Sequence, residues 1–187
     1  MSLLTATQDD LRSGRGRQLP DRVWRGTVIE AVVEKTANGS RISTRISNLR
    51  DKNGATEITL PDGSTFTPGR RIVFDRQWVD HENPDAVRYS LVKKQAISAG
   101  LMPIPAKGKT AELDFDSWDD YAAALIGRDV LFRSRQVRAQ TKNAAGVYVD
   151  AFEDADGNTT DQPTTDGVPN TPKFNVQVAD YLVDGRK

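Results

Sequence analysis

Arginine side chains are the residues of this sequence best suited to chemistry, because a guanidinium group binds phosphate oxygens and stacks on flat rings. Arg133, Arg135 and Arg138 follow the apolar run 130–132. At the two-residue period of a β-strand, Arg133 and Arg135 share one face, and a single β-bulge after Ser134 would bring Arg138 to that face. The pattern predicts a strand with a basic outer face, for which a solvated surface without a ligand is the alternative interpretation.

Other basic and aromatic residues could extend this surface. Arg41 and Arg45 point outward in the strictly alternating segment 41–47, and Tyr148 lies on the predicted hairpin partner of the arginine strand. Such surfaces bind nucleic acids, with arginines on the phosphates and aromatic rings stacked on the bases. Trp78 fits the core of the fold equally well. The predicted site consists of Trp24, Arg41, Arg45, Arg71, Arg76, Trp78, Arg133, Arg135, Arg138 and Tyr148.

The sequence offers little for catalysis or metal binding. It has no cysteine, and its one histidine, His81, lies in a predicted surface turn. It contains no phosphate-binding glycine loop, dinucleotide fingerprint, nucleophile elbow or histidine-rich metal motif. The acidic segment 154–158 lacks the glycine and glutamate positions of a calcium loop. We therefore expect a protein that is not an enzyme and that needs neither a metal nor a cofactor.

The composition is that of a soluble protein with a substantial core. The 187 residues are 37% hydrophobic and 28% charged, and Lys+Arg and Asp+Glu both number 26. With no net charge, only a local cluster of basic residues can attract a nucleic acid. The absence of cysteine fits a reducing compartment, and the acidic start of the chain lacks the apolar run of a signal peptide or membrane span. We expect an intracellular protein without a membrane partner.

Alternating hydrophobic segments predict a mainly β fold. The first strand, about 22–34, is apolar on both sides and contains Gly26, as expected of a strand that bends between two sheet surfaces of a small barrel. Asn38 and Gly39 predict a tight hairpin. The remaining predicted elements are strands at 41–47, 57–60 and 70–79, helices at 84–99 and 117–126, the arginine strand with a partner ending near 152, and a C-terminal strand at 174–182.

These elements predict one principal domain with appendages. Residues 1–19 read as a flexible Arg/Gly-rich arm without an apolar period, and 20–152 as the β domain. Residues 153–172 are predicted to be a mobile acidic loop, because 150–166 contains six carboxylates and no lysine or arginine. Residues 173–187 would pack on the domain as an extra C-terminal strand.

The order of the predicted elements is a long bent strand, a hairpin, a strand, a helical connection and a strand hairpin. This is the order of an OB-fold, a five-stranded Greek-key barrel, here with a helical insertion between strands three and four and an extra C-terminal strand. Five short segments match a known pattern: Gly-x-Val-x-Glu-Ala at 26–31, Lys-Thr-x-x-Gly at 35–39, Gly-Arg-Arg at 69–71, Ala-Gly-Leu at 99–101 and Leu-Ile-Gly-Arg-x-Val at 125–130. With these segments, about residues 22–152 resemble phage-encoded single-stranded-DNA-binding proteins with an OB-fold core.

The resemblance implies non-catalytic binding of single-stranded DNA during phage DNA replication or recombination, in the cytoplasm of the host. Self-association and contacts with replication or recombination proteins are further expectations. The family commonly carries an acidic tail at its C-terminus, whereas the acidic segment here is internal, which puts recruitment by such a tail in doubt. A virion structural or assembly protein built on the same barrel is the alternative function, and the sequence does not distinguish DNA from RNA as the ligand.

Overall fold

Five long strands close into a barrel in the computed structural model, which describes residues 19–68 and 71–183. Around the barrel the order is β1-β2-β5-β14-β6, and β6 returns to β1. Only the β5–β14 pair of this barrel is parallel. In chain order the strands are β1 (Val23–Thr36), β2 (Gly39–Asp51), β3 (Ile58–Thr59), β4 (Thr65–Phe66), β5 (Val73–His81), β6 (Asp129–Arg138), β7 (Gln140–Lys142), β8 (Tyr148–Asp150), β9 (Phe152–Glu153), β10 (Thr159–Thr160), β11 (Thr164–Thr165), β12 (Val168–Pro169), β13 (Thr171–Pro172) and β14 (Phe174–Leu182).

Two helices, α1 (Tyr89–Ser98) and α2 (Trp118–Leu125), connect the third barrel strand to the fourth. Each is followed by a glycine with positive φ, which only glycine adopts without strain. Ser117 caps α2 by accepting a hydrogen bond from the Asp120 amide at 3.1 Å. The predicted helix at 84–99 is in fact a short 3₁₀ turn, Pro84–Ala86, followed by α1, because the backbone at Val87 is extended. With this helical connection, the barrel has the predicted OB-fold-like architecture.

The first strand pairs with a neighbour on each side, and its register shifts at a glycine. β1 pairs with β2 along most of its length and with β6 near its start, and its register with β2 shifts at Gly26. A Cβ atom at Gly26 would lie 2.5 Å from Cγ2 of Ile46 and 2.9 Å from Cδ2 of Leu49. Glycine is therefore required here by close packing inside the barrel, and the predicted bend is confirmed.

The fifth strand of the barrel is the C-terminal one, β14, which lies between β5 and β6. The segment around Tyr148, predicted as the hairpin partner of the arginine strand, pairs instead with β7 in a separate two-stranded hairpin. The predicted bulge after Ser134 is also misplaced: the register shift lies on the opposite strand, at Ala179. Arg138 therefore keeps the strand phase of Ser134 and not that of Arg133 and Arg135.

The core fills the barrel and continues beneath the helices. Its largest fully buried side chains include Trp24, Phe132, Tyr121 and Tyr181. The indole Nε1 of Trp24 donates to Oγ of Ser134 at 3.0 Å, so the one polar group of this ring is satisfied inside the protein. No helix in the described part of the chain is long and apolar enough to cross a membrane.

The two predicted appendages differ in what the structure describes. The Arg/Gly-rich arm lies outside the described residues except for its last residue, Leu19, which is buried in the core. The acidic segment contains the short strands β9 to β13, and β9 pairs with both β10 and β13. Lys173 lies 3.7 Å from Glu153 in this region. The mobility of the acidic loop stays a prediction.

Candidate nucleic-acid interface

A row of side chains crosses all five barrel strands on the outer surface. Glu30 on β1 is in register with Arg45 on β2, and Arg45 with Phe74 on β5. Phe74 is in register with Gln177 on β14, which in turn faces Arg135 on β6. Four steps of about 4.8 Å make this cross-strand row roughly 19 Å long. Strand order therefore brings two predicted site residues, Arg45 and Arg135, onto one line.

Within this cross-strand row an acid, a base and an aromatic ring form one contact chain. Nη1 of Arg45 lies 3.0 Å from Oε2 of Glu30. Its Cζ lies 5.3 Å from the ring centroid of Phe74, within the range of a cation–π contact. Phe74 remains 50% exposed, so much of its ring is available to a ligand.

The same arrangement recurs four residues along each strand. Nε of Arg41 lies 2.6 Å from Oε2 of Glu34, and its Cζ lies 5.7 Å from the ring centroid of Trp78. The hydrogen bond from Arg41 lowers the pKa of Glu34, so the pair is ionised at neutral pH. The structure thus places Trp78 on the outer face, half-buried, with the edge of His81 against it.

Arg76 lies between these two clusters on β5, in register with Ser43. It is exposed, and within residues 19–68 and 71–183 it has no carboxylate within ion-pair distance. Because β-strand side chains alternate, Phe74, Arg76 and Trp78 all point outward from one strand. This strand therefore presents a ring, a cation and a second ring in succession.

A groove opens where β5 and β14 separate, since only one residue pair joins them. Its volume is about 880 Å³, and it extends from β5 to the 3₁₀ turn and the start of α1. Arg88 and Arg135 line it together with Arg76, and neither has an ion-pair partner among the residues that the structure describes. Two aspartates, Asp75 and Asp85, also line the groove, so arginines outnumber carboxylates by one. Its aromatic lining residues are Phe74, Trp78 and Phe174.

Three other predicted residues lie outside the cross-strand row, and they do not share one face. Arg133 is exposed on β6, where it is in register with Asp180. Arg138 lies over Phe174 at 4.9 Å and is 3.8 Å from Asp150. Tyr148, which is 63% exposed, lies on the β7–β8 hairpin with Nζ of Lys142 5.2 Å from its ring centroid. Their part in ligand binding stays a prediction.

Two predicted residues have structural roles instead. Trp24 is 0% exposed and offers no ring surface to a base. Arg71 donates from Nη1 to the carbonyl oxygens of Thr67 and Pro68, each at 2.9 Å, and covers the ring of Phe66 at 4.9 Å. The ring of Trp24 is thus enclosed, and Nη1 of Arg71 is occupied by backbone carbonyls; the part of both residues in ligand binding stays a prediction.

The structure adds three residues that the sequence did not single out: Phe74, Arg88 and Phe174. Phe74 could have been found from alternation, because it shares the strand phase of Trp78 and Arg76. Phe174 and Arg88 could not, because they reach the groove only through the insertion of β14 beside β5 and the placement of α1.

A buried polar network lies behind the groove. Tyr121 donates to Oε1 of Gln95 at 3.0 Å, Nε2 of Gln95 donates to the hydroxyl of Tyr181 at 2.8 Å, and Tyr181 donates to Oδ2 of Asp75 at 2.7 Å. Gln77 also donates to this carboxylate oxygen, at 2.6 Å. Asp75 is half-buried at the groove edge, yet its carboxyl is enclosed, and burial raises its pKa despite the hydrogen bonds.

This raised pKa predicts how stability changes with pH. Because folding raises the pKa of Asp75, this carboxyl favours the folded state most when it is protonated, and its contribution to the free energy of unfolding should fall as pH rises from 3.8, the ordinary aspartate value, through the raised pKa of the folded state. Each unit by which folding raises the pKa is worth about 1.4 kcal/mol. We expect Asp75→Asn to remove this fall, measured by urea unfolding over a pH series. An unchanged pH dependence in the variant would show that other carboxyls cause it.

Comparisons with known proteins identify no relative: no protein-family model matches the chain, and no curated protein matches it.

Proposed function

We propose that this protein binds single-stranded nucleic acid, DNA in the first instance, without catalysing a reaction. The observation that carries the proposal is the cross-strand row, in which Arg45, Phe74 and Arg135 lie on one line across the barrel. In such a row Arg135 can bind a phosphate while a base stacks on the exposed ring of Phe74.

The position of these residues in the fold supports the proposal. OB-folds bind oligonucleotides on the face of their second and third strands, which here are β2 and β5. Both Glu–Arg–aromatic clusters lie on this face, and Arg76 lies between them. The adjoining groove continues the surface toward Arg88 and Phe174. A single strand is the preferred ligand because its bases are free to stack, whereas a duplex hides their faces.

The biological setting is proposed from the resemblance in sequence. Phage DNA replication or recombination exposes single strands that must be coated, and a non-catalytic OB-fold-like protein suits that task. In a virion component, by contrast, the same arginines would make contacts between subunits. Oligonucleotide binding and particle assembly are therefore the two behaviours to be compared.

The test is a titration of the purified full chain against labelled oligo-dT, oligo-U and duplex DNA of equal length at two salt concentrations. We expect oligo-dT to bind more tightly than the duplex and to weaken as salt increases, because bound phosphates release counterions. A preference for oligo-U would assign RNA as the ligand. Equal binding of single strand and duplex, or no binding at low salt, would overturn the proposal.

A further inference from the structure

The arginines of the candidate interface fall into two groups. Arg41 and Arg45 each contact a glutamate, at 2.6 and 3.0 Å, and each lies over an aromatic ring. Arg76, Arg88 and Arg135 line the groove and have no carboxylate within ion-pair distance in the described part of the chain. The paired arginines therefore present almost no net charge to a ligand, whereas each unpaired arginine presents one positive charge.

The paired arginines are poorly suited to binding phosphate. A phosphate that approached Arg45 would meet the carboxylate of Glu30 as well, so attraction and repulsion would largely cancel. An arginine already neutralised by a glutamate also leaves little net charge to replace the counterions of a nucleic acid. The paired arginines should therefore contribute little to the salt dependence of binding.

The same contacts suit these arginines to stacking. The glutamate and the ring hold the guanidinium in place, and the side chain of Arg45 is still 48% exposed. A guanidinium plane is a stacking surface for an unpaired base, and an exposed aromatic ring beside it enlarges that surface. Phe74 and Trp78 are four residues apart on one strand, roughly 13 Å, with Arg76 between them. That spacing leaves room for a phosphate at Arg76 between two stacked bases.

We propose that the clusters Glu30–Arg45–Phe74 and Glu34–Arg41–Trp78 are two stacking platforms for unpaired bases, while Arg76, Arg88 and Arg135 bind the phosphates. This assignment rests on the proposed function. It gives some arginines a role in base stacking and others a role in phosphate binding. It makes the arginine-to-lysine substitution informative, because lysine keeps the charge and lacks the flat surface.

The experiment measures oligo-dT affinity of the full chain over a range of salt concentrations for matched alanine and lysine variants. We expect Arg45→Lys, which can keep the ion pair with Glu30, to weaken binding by about 2- to 5-fold with an unchanged salt slope, and Arg45→Ala, which leaves Glu30 unpaired, to weaken binding further. Arg135→Ala should flatten the logarithmic slope by about 0.7, and Arg135→Lys should restore it. Both positions are exposed, and thermal unfolding checks that the variants are folded.

Removing the acids provides the reverse test. Glu30→Gln and Glu34→Gln should each free an arginine charge, tighten binding at low salt and steepen the slope by up to about 0.7. The inference is overturned if wild type binds and Arg45→Lys, which can keep the ion pair with Glu30, binds as tightly as wild type with the same salt slope, because Arg45 would then act through its charge alone. Failure of wild type to bind any oligonucleotide would instead remove the proposed function itself.

Discussion

Replacing Phe74 with alanine is expected to weaken the binding of oligo-dT by about 5- to 150-fold, the equivalent of about 1–3 kcal/mol for one stacked base. Phe74 is the residue shared by the cross-strand row, the Arg45 platform and the groove. Its removal takes away the ring and also the surface on which the Arg45 guanidinium rests. Fluorescence anisotropy with a labelled oligonucleotide measures the loss, which should be nearly independent of salt.

Two control variants separate stacking from a general loss of apolar surface. Phe74→Tyr keeps an aromatic ring and should bind within about twofold of wild type, since any base can stack on either ring. Ile104 is as exposed as Phe74, at 50%, and lies in the connection between the helices, so Ile104→Ala should have no effect. Wild-type affinity in Phe74→Ala would show that the cross-strand row is not where a single strand binds.

Much of the barrel could be predicted because its signals are local. Asn38 and Gly39 predict a tight hairpin between β1 and β2, and the structure has one: its two loop residues are 37 and 38, because Thr36 pairs with Gly39. The second helix begins after a capping residue, Ser117, and is followed by Gly127, both visible in the sequence. Gly26 marks the bend of β1 because no side chain fits between Ile46 and Leu49.

The identity of the fifth strand could not be predicted in the same way. The segment around Tyr148 follows the arginine strand closely and alternates as a hairpin partner would, whereas β14 begins 36 residues after Arg138. A pairing over that separation is decided by burial of Tyr181 and Val178 against the core, which no local pattern reports. The bulge was predicted on β6 but lies at Ala179 on β14. It could not be assigned from the sequence, since either strand of a pair can carry a bulge.

Part of the candidate site could be predicted because the alternation of arginines is visible in the sequence. The ion pairs of these arginines could not be predicted, because they depend on strand pairing. Arg41 and Arg45 were predicted to point outward, and they do. Their partners Glu30 and Glu34 are on another strand, so the contacts appear only when the β1–β2 register is known. Strand phase alone also does not show which tryptophan is in the core. In the structure Trp24 is buried and Trp78 faces the groove.

Replacing Trp24 with alanine is expected to lower the free energy of unfolding by about 3–5 kcal/mol, the range for removing a large aromatic side chain from a core. The ring is fully buried, its centroid lies 6.1 Å from that of Phe66, and its Nε1 donates to Ser134, so the substitution removes both packing and a hydrogen bond from the core. Urea unfolding followed by circular dichroism measures the change.

Trp24→Phe provides the matched control, because it keeps most of the apolar volume and loses only the hydrogen bonds of the indole N–H, to Oγ of Ser134 at 3.0 Å and to the carbonyl oxygen of Pro20 at 3.2 Å. Its loss should be smaller, since Ser134 still donates to the carbonyl of Pro20 at 2.8 Å. At a temperature where it remains folded, Trp24→Phe should bind oligo-dT as wild type does, whereas Phe74→Ala should bind weakly and unfold normally. A folded Trp24→Phe that loses affinity would place this tryptophan in the interface after all, because a residue confined to the core affects binding only through the folded fraction.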